Sequence, residues 1–393
     1  MHIVISHRNE WPRMHPAASF GIFNALALAK QGVETVFIVS KANNKTDEEN
    51  LRTFFGLQPH KNLHIAGRKK WKISKIKSSL PFYLHSYRKI IKLSRKTHVD
   101  AIISRDIGFI RYMAKIRKKT GIPVFYETHN FFMEETPHTS SKGQMRTFKK
   151  NHKKEKKYIP RLSGMFHLIE PQKKLYQKHF PNQNSFVVHP GIIDVFEPEI
   201  PVGERKKISY IGDMSEKRDI PLLLEAFRKA GLSGYKLVLV GGKKAEIPGL
   251  KKLIQEMKLN GKVDITGWIP YKELEKMLPE FALGIVPMKD IFYNRYLTAP
   301  MKVFDYMSHG IPVLSADMPS VREFVEEEKH GMFYRSGDVE DLSEKLKKIL
   351  ASADSLNRMS ENIIEKAKTM LWEKRAERIK QIVEGISRNY TDT

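Results

Sequence analysis

The stretch YLTAPMKVFDYMSHGIPVLS, residues 296–315, sets a lysine and a carboxylate three positions apart, behind a proline and ahead of a glycine. Pro300 suits a first helical turn, where its missing N–H would have had no partner. Gly310 suits the left-handed residue just past a helix end, so the spacing predicts a short helix over Met301–Ser308. Lys302 and Asp305 then share one face near the end where backbone N–H groups are unsatisfied and the dipole is positive, an environment that draws anions. A plain salt bridge between the two is the ordinary alternative. A second candidate is His129, which follows the apolar run Val124–Glu127. Strand ends are where ligand groups gather in open α/β sheets, although a lone histidine is more often structural. Glu127 lies two residues back on the same strand face, where it can orient or charge-pair with His129.

These residues need a scaffold, and the apolar pattern supplies one. Strand-like His2–Ser6 is followed by a helical pattern from about Gly21 to Gln31 and by Thr35–Ser40, which is one βαβ unit. Val99–Ile103, a helical Ile107–Lys119 and Val124–Glu127 repeat it. In the second half Ile208–Tyr210, Lys236–Val240, Val263–Thr266 and Leu283–Val286 alternate with helical patterns around Pro221–Lys229, Leu250–Lys258 and Tyr271–Leu278. Strands alternating with helices predict parallel sheets covered on both faces, so the expected fold class is α/β, with two Rossmann-like domains facing a cleft. GIIDVFEPEIP, Gly191–Pro201, lacks periodicity and reads as the linker. The expected division is 1–195, 196–370 and 371–393, the last a helix packing back toward the first domain. It ends one long amphipathic pattern over about Ser355–Gly385.

Charge separates the halves. Residues 1–195 carry 36 Lys and Arg against 13 Asp and Glu, a net +23, whereas residues 196–393 carry 33 against 31, a net +2. Charge confined to one domain points to an anionic partner met by that domain, or to a solvated basic face with none. Cysteine is absent, which excludes disulfides, thiolate nucleophiles and cysteine metal sites, and no His, Asp or Glu cluster has metal-ligand spacing, so no metal is expected. The first apolar run, Ile3–Ile5, is strand-sized and no stretch approaches the ~18 apolar residues of a membrane span. A cytoplasmic protein is therefore expected, with attachment to the inner face of the membrane left open.

The ordered motifs resemble retaining glycosyltransferases of the GT-B architecture, family 4, also described as glycosyl transferases group 1. YIGDMSEKRDIPLLLEAF, LVLVGG, VDITGWIP, APMKVFDYMSHGIPVLS and SVREFVEEEKHGMFYRSGDVEDLSEKL follow the family's order across most of residues 206–350. GIFNALALAKQGVETVFIV, IISRDIGF, VFYETHNFF and VVHPGIID match the first half more loosely. The resemblance makes Gly212 the turn glycine, puts Arg218 at the usual lysine position, and places Gly267 and Trp268 near the base pocket. Departures are Asp213 in place of the usual arginine, Gly21 standing alone in PAASFG, and one carboxylate, Asp305, where paired glutamates are common, with Leu297 at the other position.

Departure of a nucleoside diphosphate puts negative charge on phosphate, which preorganised cations stabilise. The resemblance implies that role for Arg218 and Lys302, with Lys217 as neighbour, and a ribose-binding role for Asp305. It sets His129 near the donor sugar and lets the backbone at Gly21 approach the donor. Glu323 matches a recurrent acidic position, for which a helix-start cap is an equal explanation. No cofactor is expected beyond the nucleotide sugar as substrate, with UDP the commonest base, and transfer without a metal. The acceptor is expected to be an anionic envelope glycan or a lipid-linked acceptor. An anionic membrane surface is a further expected partner, suggested by cations interleaved with Trp71, Ile73, Ile76, Leu80, Phe82, Tyr83, Leu84 and Tyr87 in residues 69–96. Two other readings remain: a catalytically silent nucleotide-sugar or glycan-binding relative, and a basic nucleic-acid-binding protein, which lacks any accompanying recognition motif.

Overall fold

A computed structural model describes the chain except for residues 14–15, 42, 44, 70–78, 135–140 and 392–393. The chain forms two units, one of Met1–Gly191 with the chain from Trp372 onward, the other of Ile192–Leu371. In the first, β1 (His2–Trp11), β2 (Glu34–Lys41), β3 (Leu63–Lys69), β4 (Ala101–Ser104), β5 (Val124–Glu127), β6 (Gly164–His167) and β7 (Ser185–Val187) make a parallel sheet in the order β3-β2-β1-β4-β5-β6-β7. In the second, β8 (Lys207–Gly212), β9 (Lys236–Gly241), β10 (Val263–Gly267), β11 (Phe281–Val286), β12 (Val313–Ala316) and β13 (Gly331–Tyr334) run parallel as β10-β9-β8-β11-β12-β13. Every residue of β4, β5, β11 and β12 is buried. Crossover helices on both faces require that, and it is why these strands read as unbroken apolar runs rather than alternating ones.

Each sheet reverses its winding once, between β1 and β4 in the first unit and between β8 and β11 in the second. Ligands collect beyond the carboxyl ends of the strands at such reversals, because the loops there diverge and leave a crevice. The loops that follow β1, β4, β8 and β11 therefore border these crevices.

Several expectations are corrected by tertiary context. The first helix begins at Pro16 and runs to Lys30, so Gly21 lies inside it rather than at its start. The amphipathic pattern over 355–385 is two helices, Ala353–Lys368 and Trp372–Thr391, broken at Thr369–Leu371 and assigned to different units. The expected linker is largely claimed by the second unit: the Phe196 amide donates to the Ser308 carbonyl and its ring stacks on His309.

In the first unit the helices Leu80–Ser94, Ile110–Thr120 and Lys142–Tyr158 pack in sequence. Phe82, Tyr83, Ile90 and Ile91 are buried there, so these side chains of the basic segment 69–96 are core and not free to enter a membrane. Trp71, Ile73 and Ile76 lie outside the described residues. On these helices Lys89, Lys92, Lys115, Lys118, Lys149, Lys150, Lys153 and Lys157 face solvent, and so does Leu80 at the start of the first, 48% exposed. The single carboxylate on these helices, Glu155, is fully buried and accepts hydrogen bonds from Tyr176 Oη (2.6 Å) and the Phe132 amide (3.1 Å).

Candidate functional site

In the second unit, β8 ends on Gly212 with φ +132°, a conformation that favours glycine. A Cβ there would also sit 3.1 Å from Lys302 Nζ. The next strand's Gly241, φ +115°, is held as closely, since a Cβ on it would collide with the Gly212 carbonyl oxygen. The backbone at the end of β8 is thus kept bare while Lys302 lies over it. Met301–Met307 forms the helix that carries Lys302, which is buried with Nζ 4.2 Å from the centre of the Tyr210 ring. Burial first, and the neighbouring Arg218 second, depress the Lys302 ammonium well below the ordinary lysine range.

Arg218 approaches the same strand end from the loop after β8. Its backbone bridges to Met288 beyond β11, and its guanidinium donates to Asn294 Oδ1 at 3.1 Å. The buried Asn294 amide in turn donates to the carbonyls of Lys217 (3.1 Å) and Lys289 (2.8 Å), locking the two loops of the sheet reversal together. Asp213 accepts from the Ser215 amide at 3.2 Å and lies 3.5 Å from Arg218 Nε, so the unusual aspartate acts as a turn anchor and a tether for the arginine.

Asp305 diverges from Lys302 although both lie on one helix: it faces Tyr271, whose hydroxyl donates to Oδ1 at 3.5 Å, whereas Lys302 lies over Tyr210. Burial pushes the Asp305 carboxyl up to about 7, against the pull of Tyr271 and Lys302. Gly212, Arg218 and Lys302 therefore gather at the end of β8. Lys217 turns its ammonium onto the Tyr293 ring at 4.1 Å. Gly267, φ +71°, ends β10 two strands away, and Trp268 beside it is 67% exposed. Glu323 is the C-cap of the one-turn helix Pro319–Arg322, so a helix-start cap does not describe it. Leu297 is core.

The first unit gathers a second constellation, just past the ends of β4 and β5 and at His7 of β1, which follows the last β1 residue paired with β4. His129 Nε2 is 2.6 Å from Glu127 Oε1, and His129 Nδ1 is 2.8 Å from an Arg105 terminal nitrogen. Phe20 meets the His129 ring edge to face at 5.4 Å and is flanked by two guanidiniums, Arg105 at 5.1 Å and Arg375 at 4.9 Å. Ser6, His7, Gly21, Asn24, Ser104 and Arg105 line a small pocket here. A Cβ on Gly21 would lie 2.5 Å from His7 Nδ1, so the bareness of this glycine makes room for the buried His7 ring. His7, Arg105 and Arg375 escaped the sequence reading. The first two follow apolar strand runs as His129 does, and the same rule applied evenly would have found them.

The fold is that of solved glycosyltransferase structures. The chain is similar to sucrose-phosphate synthase from Thermosynechococcus elongatus, at 15% identity and TM-score 0.74, covering 99% of each chain. It is similar to HepE from Anabaena in complex with UDP-glucose, at 11% identity and TM-score 0.70, covering 98% of this chain and 100% of that one. Residues 194–366 match the family model of glycosyl transferases group 1, a span inside the second unit. The architecture is GT-B, and the second unit carries a glycosyl transferases group 1 domain. Among curated relatives, the amylovoran biosynthesis glycosyltransferase AmsK of Erwinia amylovora is 24% identical over 204 residues, 48% of this chain. The chain spans about half the length of that relative, 48%.

Proposed function

We propose that this chain is a retaining, metal-independent glycosyltransferase of family 4 that moves a sugar from a nucleotide-sugar donor to a cell-envelope glycan or lipid-linked acceptor. The observation that carries the reading is the pair of basic residues at the reversal of the group 1 domain's sheet, Lys302 over the bare backbone of Gly212 and Arg218 fixed on Asn294 and Asp213 in the loop that follows it. A leaving diphosphate gains charge as the sugar departs; an anion beside Lys302 favours its charged form against the burial that depresses it, and cations held in a partly buried site stabilise the developing charge more than the ground state. Asp305 is the acceptor for ribose hydroxyls, Gly267 and Trp268 lie toward the base, and Lys217 and Glu323 are peripheral contacts. His129 contributes a fixed wall of the first unit rather than a proton, since both ring nitrogens are engaged. UDP is the favoured base, supported by the HepE structure that holds UDP-glucose, and a polysaccharide product is supported by the relative named for amylovoran biosynthesis.

The acid-free surface of the three basic helices is the contact for an anionic partner. We assign it to the inner face of the membrane, where a lipid-linked acceptor would be displayed. Among the described residues no helix is long and apolar enough to cross a membrane, and attachment of this kind needs none.

The test is Arg218→Ala assayed with UDP-sugars. Turnover is expected to fall at least ~100-fold, the scale for losing one preorganised donor to developing charge, with the melting temperature within a few degrees of wild type. Near-wild-type turnover would remove the phosphate role. A protein whose melting temperature rises with UDP but which turns over no donor would be the catalytically silent relative instead.

A further inference from the structure

The helix Trp372–Thr391 sets Arg375 into the first unit, where the side chain is 4% exposed. Its Nε donates to Asn24 Oδ1 at 2.9 Å, one terminal nitrogen donates to the carbonyls of Val188 and His189, the latter at 2.7 Å, and the other donates to Glu127 Oε2 at 2.5 Å. The second oxygen of Glu127 meets His129 Nε2, and His129 Nδ1 meets Arg105. A guanidinium has only donors, so Nδ1 must accept; a carboxylate has only acceptors, so Nε2 must carry the proton. The chain of contacts thus defines a neutral imidazole in one tautomer.

We propose that Arg375 is a positioning residue that keeps His129 neutral with its proton on Nε2, so that Nδ1 stays available to hold the Arg105 guanidinium at the strand-end pocket. The reason is charge balance around one buried carboxylate. With Arg375 on Oε2, Glu127 has a permanent counter-ion and asks only a neutral hydrogen bond of His129. Without it, the imidazole beside the carboxylate is drawn to its protonated form. A proton on Nδ1 would then face the Arg105 N–H groups, donor against donor, and push the guanidinium away.

The described charged and titratable neighbours of His129 fit this arrangement. Burial and Arg105, reaching in from β4, hold the ring down to about 4 against the upward pull of Glu127 on β5. Burial alone would raise Glu127, but Arg375, then His129 and Arg105, bring it down to about 2. From β1, His7 is kept neutral by burial first and by Arg105 next, well below the ordinary histidine range. The first helix contributes the uncharged Phe20.

The assignment stands on the geometry of the first unit, and only its bearing on turnover rests on the transferase reading. It is tested by NMR of the full chain labelled with ¹⁵N-histidine, with the His129 signals identified by their loss in His129→Gln. Wild type is expected to carry the proton on Nε2 and to show no His129 titration above about pH 5. Arg375→Gln is expected to raise the midpoint by roughly one to three pH units, and Arg375→Lys, which keeps the charge, to restore most of the difference. A wild-type ring protonated on Nδ1, or titrating near the ordinary 6.5, overturns the proposal without any change at Arg375. An unchanged midpoint in Arg375→Gln overturns it as well. The acidic limb of turnover should move upward with His129 in Arg375→Gln. Wild-type protein inactive toward every donor would sink the transferase reading while the NMR result still decides the role of Arg375.

Discussion

Asp305→Asn should make the protein more stable and a poorer binder at once. The Asp305 carboxyl is pushed from its ordinary 3.8 up to about 7, with burial the leading cause. A folded-state value above the unfolded one means that the native state binds the proton more tightly. The folded carboxyl therefore costs nothing below the unfolded value, and stability is lost progressively as pH rises from about 4 to about 7. A gap of about three pH units at about 1.4 kcal/mol each bounds the cost at about 4 kcal/mol. Asp305 is only half-buried and keeps a Tyr271 hydrogen bond, so solvent and local relaxation reduce that to about 2 kcal/mol. Asparagine has the shape of the protonated acid and never ionises. Differential scanning calorimetry of wild type and variant from pH 4 to pH 8 should show the variant transition higher by roughly 4–8 °C above pH 7, with the advantage gone at pH 4. Calorimetric titration with UDP at pH 8 should show affinity weakened roughly tenfold or more, the scale of a lost charged hydrogen bond. A variant less stable than wild type at pH 8, or a difference independent of pH, would refute the account of a carboxylate kept at a cost for its ligand.

Two other outcomes follow from the same structure. Because the charge at the end of β8 comes from Lys302 and Arg218, turnover should persist in excess EDTA, and a strict requirement for an added divalent ion would contradict the role given to those cations. The basic helices should bring the full chain down with vesicles containing anionic lipid but not neutral ones, weakening with salt as the Debye length shortens to about 8 Å at physiological ionic strength. Reversing Lys149, Lys150 and Lys153 to glutamate should weaken that binding by roughly 100-fold or more, at ~1 kcal/mol per cation removed, and equal binding to neutral vesicles would argue against a surface acting by charge.

The amino-acid sequence by itself determined what depends on neighbours along the chain. Buried parallel strands must be apolar on both faces, so β4, β5 and β11 announce themselves as short continuous runs. Pro300 and Gly310 bracket a helix of which the structure keeps Met301–Met307, because a first turn tolerates a missing N–H and φ +63° favours glycine. Gly212, Arg218 and Lys302 were legible for the same reason: each sits at or beside the end of an element that its own neighbours define.

Tertiary structure decided what depends on which ends meet. Arg375 reaches Glu127 across 248 positions, and nothing local distinguishes it from the other cations of an amphipathic helix. Gly21 is bare for the His7 ring that another element delivers, and Phe82, Tyr83, Ile90 and Ile91 of the basic 80–94 helix are core because neighbouring helices cover them. The divergence of Lys302 and Asp305 is likewise set by Tyr210 and Tyr271, which the sheet and a separate helix bring to one helix face. Spacing along a chain encodes which side of an element a residue occupies. Its hydrogen-bond partners, its burial, and hence its protonation state are properties of the surfaces that close over it, and those exist only once the strands have been ordered into a sheet.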